Sequence, residues 1–359
     1  MRHRPPAEPT ACTTEPTARA NETPIASART TLSSLSVGKP AHFAGLTVFP
    51  LSSNLPNSVR YLLLEKGLHS GLVSVREVQK EGSVPNLAVE NRSDSDVLIV
   101  DGEELVGAKQ NRIANLTLLV PAERTTIIPV SCVEAGRWSY SRPDFAVTER
   151  VQYSRGRAER LRGVQASMRT TGTRVSDQGA VWDDLSEKAA RMEAHSPTEA
   201  MSAIYERHGA TLDDYVEKLS LEAGQVGAIF VTGPRQLGMD LFDRHETFAA
   251  FFPKLVRSYA IDAMERPPAR DGAAKPKDAH AFVDRLRQGA FDVHPAVALG
   301  HDVGVVARGA IAGALVHQGT ALHVTAFSEP THATTDDHPG AYASYRQRRA
   351  SLRRRRSRE

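Results

Sequence analysis

The residues best suited to chemistry stand close together in this chain. Asp101, Gly102, Glu103 and Glu104 are followed by Lys109, Gln110, Asn111 and Arg112 and then, past one apolar strand pattern, by Cys132, Glu134, Arg137 and Trp138. Cations beside neutral amides suit a phosphorylated sugar: the Arg112 guanidinium offers phosphate a two-pronged contact, and Lys109, Gln110 and Asn111 add hydrogen bonds to phosphate and ribose. A carboxylate raised toward neutral pH by burial would serve as acid or base, and Glu104 is the candidate. Glu134 and Arg137 extend the set, and the Trp138 ring could stack on a base. Every member also has an architectural alternative. Glu104 could pair with Arg112 or Arg137, and Gln110 and Asn111 could satisfy backbone groups at a strand end. Cys132 follows an apolar strand and reads as a small core residue rather than a thiolate nucleophile.

Strands must hold these side chains. Leu46–Leu51, Leu72–Val78, Leu87–Glu90, Val97–Val106, Ile113–Val120 and Thr125–Val130 read as short strands separated by Gly, Pro, Asn and Ser. The gaps are too short for crossover helices, so antiparallel meander or sandwich pairing is expected. Asp101-Gly102 suits a tight hairpin turn after Val97–Val100. Strand alternation sends Glu103 and Glu104 to opposite faces, one of them toward water.

After Trp138 the period becomes helical. A helix over Arg157–Met168 would put Leu161, Val164 and Met168 on one face and its arginines in solvent. Val181, Leu185, Ala189 and Met192 mark another helix. Ser196-Pro197-Thr198-Glu199 has the form of a capping box opening a helix to about His208. Leu212–Leu219 and Asp278–Gln288 also fit helices, as does Phe248–Ala263, with Pro253 requiring a kink or a fresh start. Val226–Val231 reads as a buried strand, and Ala314–His317 with Ala321–Phe327 as a closing hairpin. The expected class is α+β: a leader at 1–40, an antiparallel β-rich part at 41–140, a helix-rich part at 141–327 and a tail at 328–359.

The net charge of +3 hides a division. Residues 346–359 carry +7 and residues 1–40 carry +2, which leaves residues 41–345 at −6. The terminal arginines would attract nucleic acid or other anions weakly and in a salt-sensitive way, opposed by the acidic body. Both ends are Pro/Thr- or Arg-rich with little to bury and read as disordered. Cys12 and Cys132 are too few for a disulfide or metal framework, no stretch resembles a signal peptide or membrane span, and a cytoplasmic setting is expected. Phosphate-loop, dinucleotide-fingerprint, serine-elbow and His-Glu-x-x-His signatures are absent. His294, His301, His317 and His323 read as scattered surface histidines, and no metal site is expected.

Four segments in order, DGEELVGAKQNR (Asp101–Arg112), IPVSCVEAGRW (Ile128–Trp138), DQGAVWDDL (Asp177–Leu185) and KLVRSYAIDAM (Lys254–Met264), resemble the ARG and Rhodanese-Phosphatase-superfamily-associated protein domain. The resemblance runs from Leu46 to Phe327. The family is named for its neighbours, ADP-ribosylglycohydrolases and rhodanese or phosphatase-like proteins. It implies a link to ADP-ribose or NAD-derived metabolism and assigns no reaction, cofactor or catalytic residue. Two expectations stand side by side: a protein that binds or processes an ADP-ribose-like ligand, and a non-enzymatic interaction domain whose polar residues are architectural. An open cleft lined by Glu104, Gln110, Asn111 and Arg112 would favour the first, and mutual pairing under Trp138 the second.

Overall fold

Apolar runs at strand period with short polar connections pair locally, and the first half of the chain does so. The computed structural model describes residues 16–79, 83–233, 236–265 and 274–329. Helix α1 (Pro16–Ser33) is followed by strands β1 (Ser36–Val37), β2 (Ala41–Phe43), β3 (Leu46–Ser52) and β4 (Leu62–Leu63), a short α2 (Leu64–His69), then β5 (Val73–Glu77) and β6 (Asn86–Asn91). Strands β7 (Val97–Ile99), β8 (Glu103–Gly107), β9 (Arg112–Ala114), β10 (Leu118–Val120), β11 (Arg124–Cys132) and β12 (Phe145–Val151) follow. They form a six-stranded sheet, β12-β8-β9-β11-β6-β5, and a three-stranded one, β10-β7-β4. All these pairings are antiparallel except the parallel β4–β7 pair. Leu87, Val89, Leu105, Ile128 and their neighbours close a core between them.

The Asp101-Gly102 turn forms, with Glu103 N–H donating to Val100 O at 3.0 Å and Gly102 at φ +77°. It does not make the hairpin expected there. Strand β7 pairs with β10 and β8 with β9, and Gly102 N–H reaches Ala114 O across the bend. The chain therefore bends at Asp101 within one long ribbon, 97–107 against 112–120, and the true hairpin tip is the polar run before Arg112.

The second half alternates. Helices α3 (Ser154–Thr171), α4 (Gln178–Arg191), α5 (Ser202–Arg207) and α6 (Gly209–Lys218) precede β13 (Gly227–Thr232) and β14 (Gln236–Phe242). Then come α7 (His245–Met264), α8 (Pro276–Arg287) and the strands β15 (Ala290–Pro295), β16 (His301–Ala307), β17 (Ala310–His317) and β18 (Thr320–Ser328). Asp177 caps α4, accepting from Gly179 and Ala180 N–H. The segment at Ser196 instead makes a turn, Glu199 N–H to Ser196 O, and α5 starts only at Ser202. One helix, α7, runs through Pro253.

The expected split into a β-rich and a helix-rich part gives way to a shared sheet. Its nine strands run β1-β3-β13-β14-β18-β17-β16-β15, with β2 beside β3, so an N-terminal strand lies next to β13 and the closing hairpin is the inner half of a four-stranded meander. Alternation along these strands feeds two cores. Val48, Phe230 and Phe327 meet α7 on one face, while Phe49, Ile229, Met239 and Val305 belong to the core that α1 and α8 cover on the other. Part of the expected leader is thus structural: Ala28 and Leu32 of α1 are buried, and Arg287 of α8 donates to Leu32 O. Cys12 and the arginines of 346–359 lie outside the described residues. Among the described residues no helix is long and apolar enough to cross a membrane.

Candidate functional site: two buried polar clusters

The hairpin tip is built by the register of three strands. Glu104 faces Ile113 and Leu105 faces Arg112 between β8 and β9, while Cys132 of β11 faces Arg112 from the other side. Gly107, at φ +145°, closes the turn where a Cβ would stand 2.3 Å from Asp144 O, so only glycine fits. Around this tip the predicted residues bond to one another. Gln110 Nε2 donates to Glu134 O (3.0 Å), and Arg112 Nη1 to Gln110 Oε1 (3.0 Å). The Cys132 thiol donates to the same Gln110 oxygen at 3.1 Å. Glu134 accepts from Asn111 N–H (3.0 Å), Thr198 Oγ1 (2.8 Å) and Arg137 Nη2 (2.7 Å). Arg137 also donates to Asn111 Oδ1, Ala108 O and Ser139 O, which fastens the 135–144 loop over the tip.

Electrostatics follow from burial against these bonds. Burial raises the Glu134 carboxyl, but Arg137, Thr198 and the Asn111 N–H outweigh it and hold the group below its ordinary value. Burial pushes the Cys132 thiol up, with Arg112 opposing, so the thiol stays protonated. Burial also lowers Arg112, with Cys132 and Glu77 opposing. Arg112 is the member left incomplete. It is fully buried, yet Nε and Nη2 have no hydrogen-bond acceptor, and Glu77 Oε1 stands 4.0 Å from Nη2. Its guanidinium carbon lies 5.8 Å from the Trp138 ring centroid, and Lys109 Nζ lies 5.3 Å from the centroids of both Trp138 and Tyr140. Trp138 and Tyr140 are about half exposed, at 47% and 53%.

Glu104 does not join this group. Its Oε2 accepts from Arg150 Nε (2.6 Å) and Thr148 Oγ1 (2.9 Å), so its partner is Arg150 and neither Arg112 nor Arg137. Oε1 has no partner, and burial pushes the carboxyl up against the pull of Arg150. Glu103 departs to the other side, 3.9 Å from Lys254 Nζ, and is as buried as Glu104, so neither meets water.

A second cluster forms where the ribbon bends. Helix α3 carries Arg157 at the head of the stripe that continues through Leu161, Val164 and Met168, so the arginine expected in solvent enters the core with them. Arg157 Nε donates to Asp101 Oδ2 (3.0 Å), Nη1 and Nη2 hold Asp240 in a bidentate pair (3.0 and 2.5 Å), and Nη2 reaches Thr325. Its side chain lies on Gly102, 3.1 Å from where a Cβ would stand. Arg160 bonds Asp101 and Gln152. Asp240 also accepts from Tyr259 Oη (2.9 Å) and faces His323 Nε2 (3.2 Å), and His323 Nδ1 lies 2.7 Å from Thr117 Oγ1. Burial opposes both charges, yet their mutual attraction wins: Arg157 is raised well above its ordinary value and Asp240 is held far below its own. The other arginines of the basic stretch pair as well, Arg155 with Glu159, Arg162 with Glu329, Arg169 with Asp292 and Arg174 with Asp302.

Sequence reading missed this cluster. Its only local signals are a lone Asp240 inside the apolar run Met239–Phe242 and an arginine in register with an apolar stripe. His323 is not a surface histidine but fully buried, and it sits opposite Leu315. Among the described residues no group of three or more His, Cys, Asp or Glu could hold a metal.

Comparison with curated proteins and with solved structures finds no match. A family model for the ARG and Rhodanese-Phosphatase-superfamily-associated Protein domain matches residues 34–327, which takes in both polar clusters and leaves α1 outside. The chain belongs to the ARG and Rhodanese-Phosphatase-superfamily-associated Protein domain family.

Proposed function

We propose that the hairpin tip recognises the anionic part of an ADP-ribose-like or other NAD-derived ligand. The observation that carries this reading is Arg112. A buried guanidinium with donors left unpaired costs about 1–3 kcal/mol per unmet group or more, and a phosphate oxygen arriving at Nε and Nη2 would remove that cost. Trp138 and Tyr140 stand exposed beside it as stacking surfaces, Lys109 lies against both rings, and Gln110 and Asn111 supply neutral hydrogen-bonding groups. Entry requires the 135–144 loop to lift, because Arg137 now fastens it. Glu134 and Arg137 would re-pair around the ligand, whereas Glu104, bonded to Arg150 on the opposite face of the β8–β9 ribbon, is not placed to act on it. The family's association with ADP-ribosylglycohydrolases supports the ligand class. A cytoplasmic setting fits such a ligand, and the arginines of 346–359 would add weak, salt-sensitive anion attraction.

A second reading rests on a different observation. Gln110, Asn111, Glu134 and Arg137 already satisfy each other, as an architectural network in an interaction domain would. Thermal-shift titration of the full chain with ADP-ribose, ADP and pyrophosphate separates the two, since a ligand that binds only the folded state raises its stability. The ligand reading expects an upward shift that Trp138→Ala weakens and Arg112→Lys abolishes while both variants keep a cooperative melt. No shift from any of the three compounds would leave the network reading.

A further inference from the structure

The second cluster contains a connected hydroxyl, imidazole and carboxylate. Asp101 N–H donates to Thr117 Oγ1 at 3.0 Å, so the Thr117 proton is free to point at His323 Nδ1, 2.7 Å away. With Nδ1 assigned as the acceptor of that proton, the ring proton sits on Nε2, directed at Asp240 Oδ1 at 3.2 Å. The same order of roles, with a hydroxyl donating to an imidazole whose other nitrogen donates to a buried carboxylate, activates alcohol nucleophiles on unrelated folds. Asp240 is shared with Arg157, and Asp101, Asp240, Arg157 and Arg160 together sum to zero charge.

Thr117 and His323 both line a cavity of about 40 Å³. That is room for a small occupant of acetyl size and exceeds what a single water needs. Leu161, Val164, Met168 and Leu315 make its walls apolar. Gln165 also lines it, itself buried, with its Oε1 unmatched. The relay draws on three separate elements, β14, β18 and the turn before β10.

We infer that Thr117, His323 and Asp240 form an acyl-transfer site that hydrolyses short, acetyl-sized esters, separate from the hairpin tip. Thr117 Oγ1 bonds to the acyl carbon as its proton passes to His323 Nδ1. The ester C–O bond breaks, and the departing alcohol takes that proton. Water then attacks the acyl-Thr117 carbon, giving its proton to His323. The Oγ1–carbon bond breaks, the carboxylic acid leaves, and Oγ1 recovers its proton. His323 is the general base and acid, and Asp240 is a positioning residue that holds the ring and its tautomer.

The test uses the full chain and p-nitrophenyl acetate, with peptide mass spectrometry on the quenched protein. The expected results are an acetyl group on the peptide bearing Thr117 and p-nitrophenol release that His323→Gln lowers by about 100-fold or more. Thr117→Val should abolish both, and Thr117→Ser should retain them. Because His323 is buried, each variant is first checked for a native melt, and the adduct on the parent protein needs no variant. Acetylation confined to lysines, or release by a folded Thr117→Val protein equal to the parent's, would overturn the assignment.

Discussion

The two polar clusters differ in how far apart along the chain their members lie, and that difference governs what each tolerates. At the hairpin tip the partners other than Thr198, Gln178 and Glu77 fall between residues 107 and 141, and most bonds run through one ribbon and the loop beside it. At the bend, Asp101, Thr117, Arg157, Asp240, Tyr259 and His323 come from six stretches, and bonded partners stand up to 206 residues apart. The tip keeps donors in reserve and carries exposed aromatic rings. The bend has its central charges matched and ties the ribbon to α3, α7 and the nine-stranded sheet. A local cluster can open without unfolding the protein, whereas the Arg157–Asp101–Asp240 charges, which join every layer, cannot be separated without it.

The largest test of that contrast is Arg157→Met. It leaves Asp101 and Asp240 buried with a partner removed, and breaking a buried pair in this way costs about 3–5 kcal/mol. Urea unfolding should show this as a lowered midpoint, and a loss below about 1 kcal/mol would mean that the cluster does not hold the layers together.

Acid and neutral pH should separate two buried carboxylates. The Asp240 carboxyl is held well below the usual carboxylate range by Arg157 despite burial, so its contribution to stability is present above about pH 4, its unfolded value, and is lost as pH falls further. Asp302 is pushed up to about 6 by burial, with Arg174 opposing. Its sign is opposite: the folded protein binds the proton more tightly, so that contribution is complete below about pH 4 and is lost as pH rises through about 6. In unfolding measured from pH 4 to 7, Asp302→Asn should flatten the decline seen in the parent. An unchanged slope would show that Asp302 does not titrate there.

Arg137→Ala should have an intermediate effect. It removes charge-assisted bonds to Glu134 and five loop or hairpin oxygens, for a loss of about 1.5–3 kcal/mol. Hydrogen exchange should accelerate at 135–144 and around Ala108 while the β14–β18 amides stay protected. Exchange that accelerates equally in the large sheet would erase the distinction between the clusters. The smallest effect belongs to Trp138→Ala: with the ring half exposed, stability should change by less than about 1 kcal/mol. A larger loss, measured by the same urea titration, would make Trp138 a packing anchor rather than an available surface.

Much of the local structure was readable because it depends on neighbours in sequence. Leu46–Leu51, Thr125–Val130 and Phe248–Ala263 became β3, β11 and α7 since apolar period sets which face is buried. The grouping of Gln110, Asn111, Arg112, Glu134 and Arg137 was legible because one ribbon and its return strand bring them together. Pairing was harder. Asp101-Gly102 has the chemistry of a hairpin turn and does turn, but the choice between local reversal and a longer ribbon rests on strand partners at Ala114 and Leu118–Val120. In α1, Ala28 and Leu32 give a weak stripe that means burial only once the sheet offers a face to cover.

Sequence by itself determined the α+β class, the family and the closeness of Gln110, Asn111 and Arg112 to Glu134 and Arg137, because apolar periodicity and short-range register are properties of the chain. The tertiary structure alone decided that Arg157 lies inside rather than in solvent, that Glu104 answers to Arg150, and that His323 stands between Thr117 and Asp240. An arginine, a carboxylate or a histidine is costly to bury without a partner, and those partners are distant in sequence. Only the assembled sheet and helices could bring them within hydrogen-bonding reach.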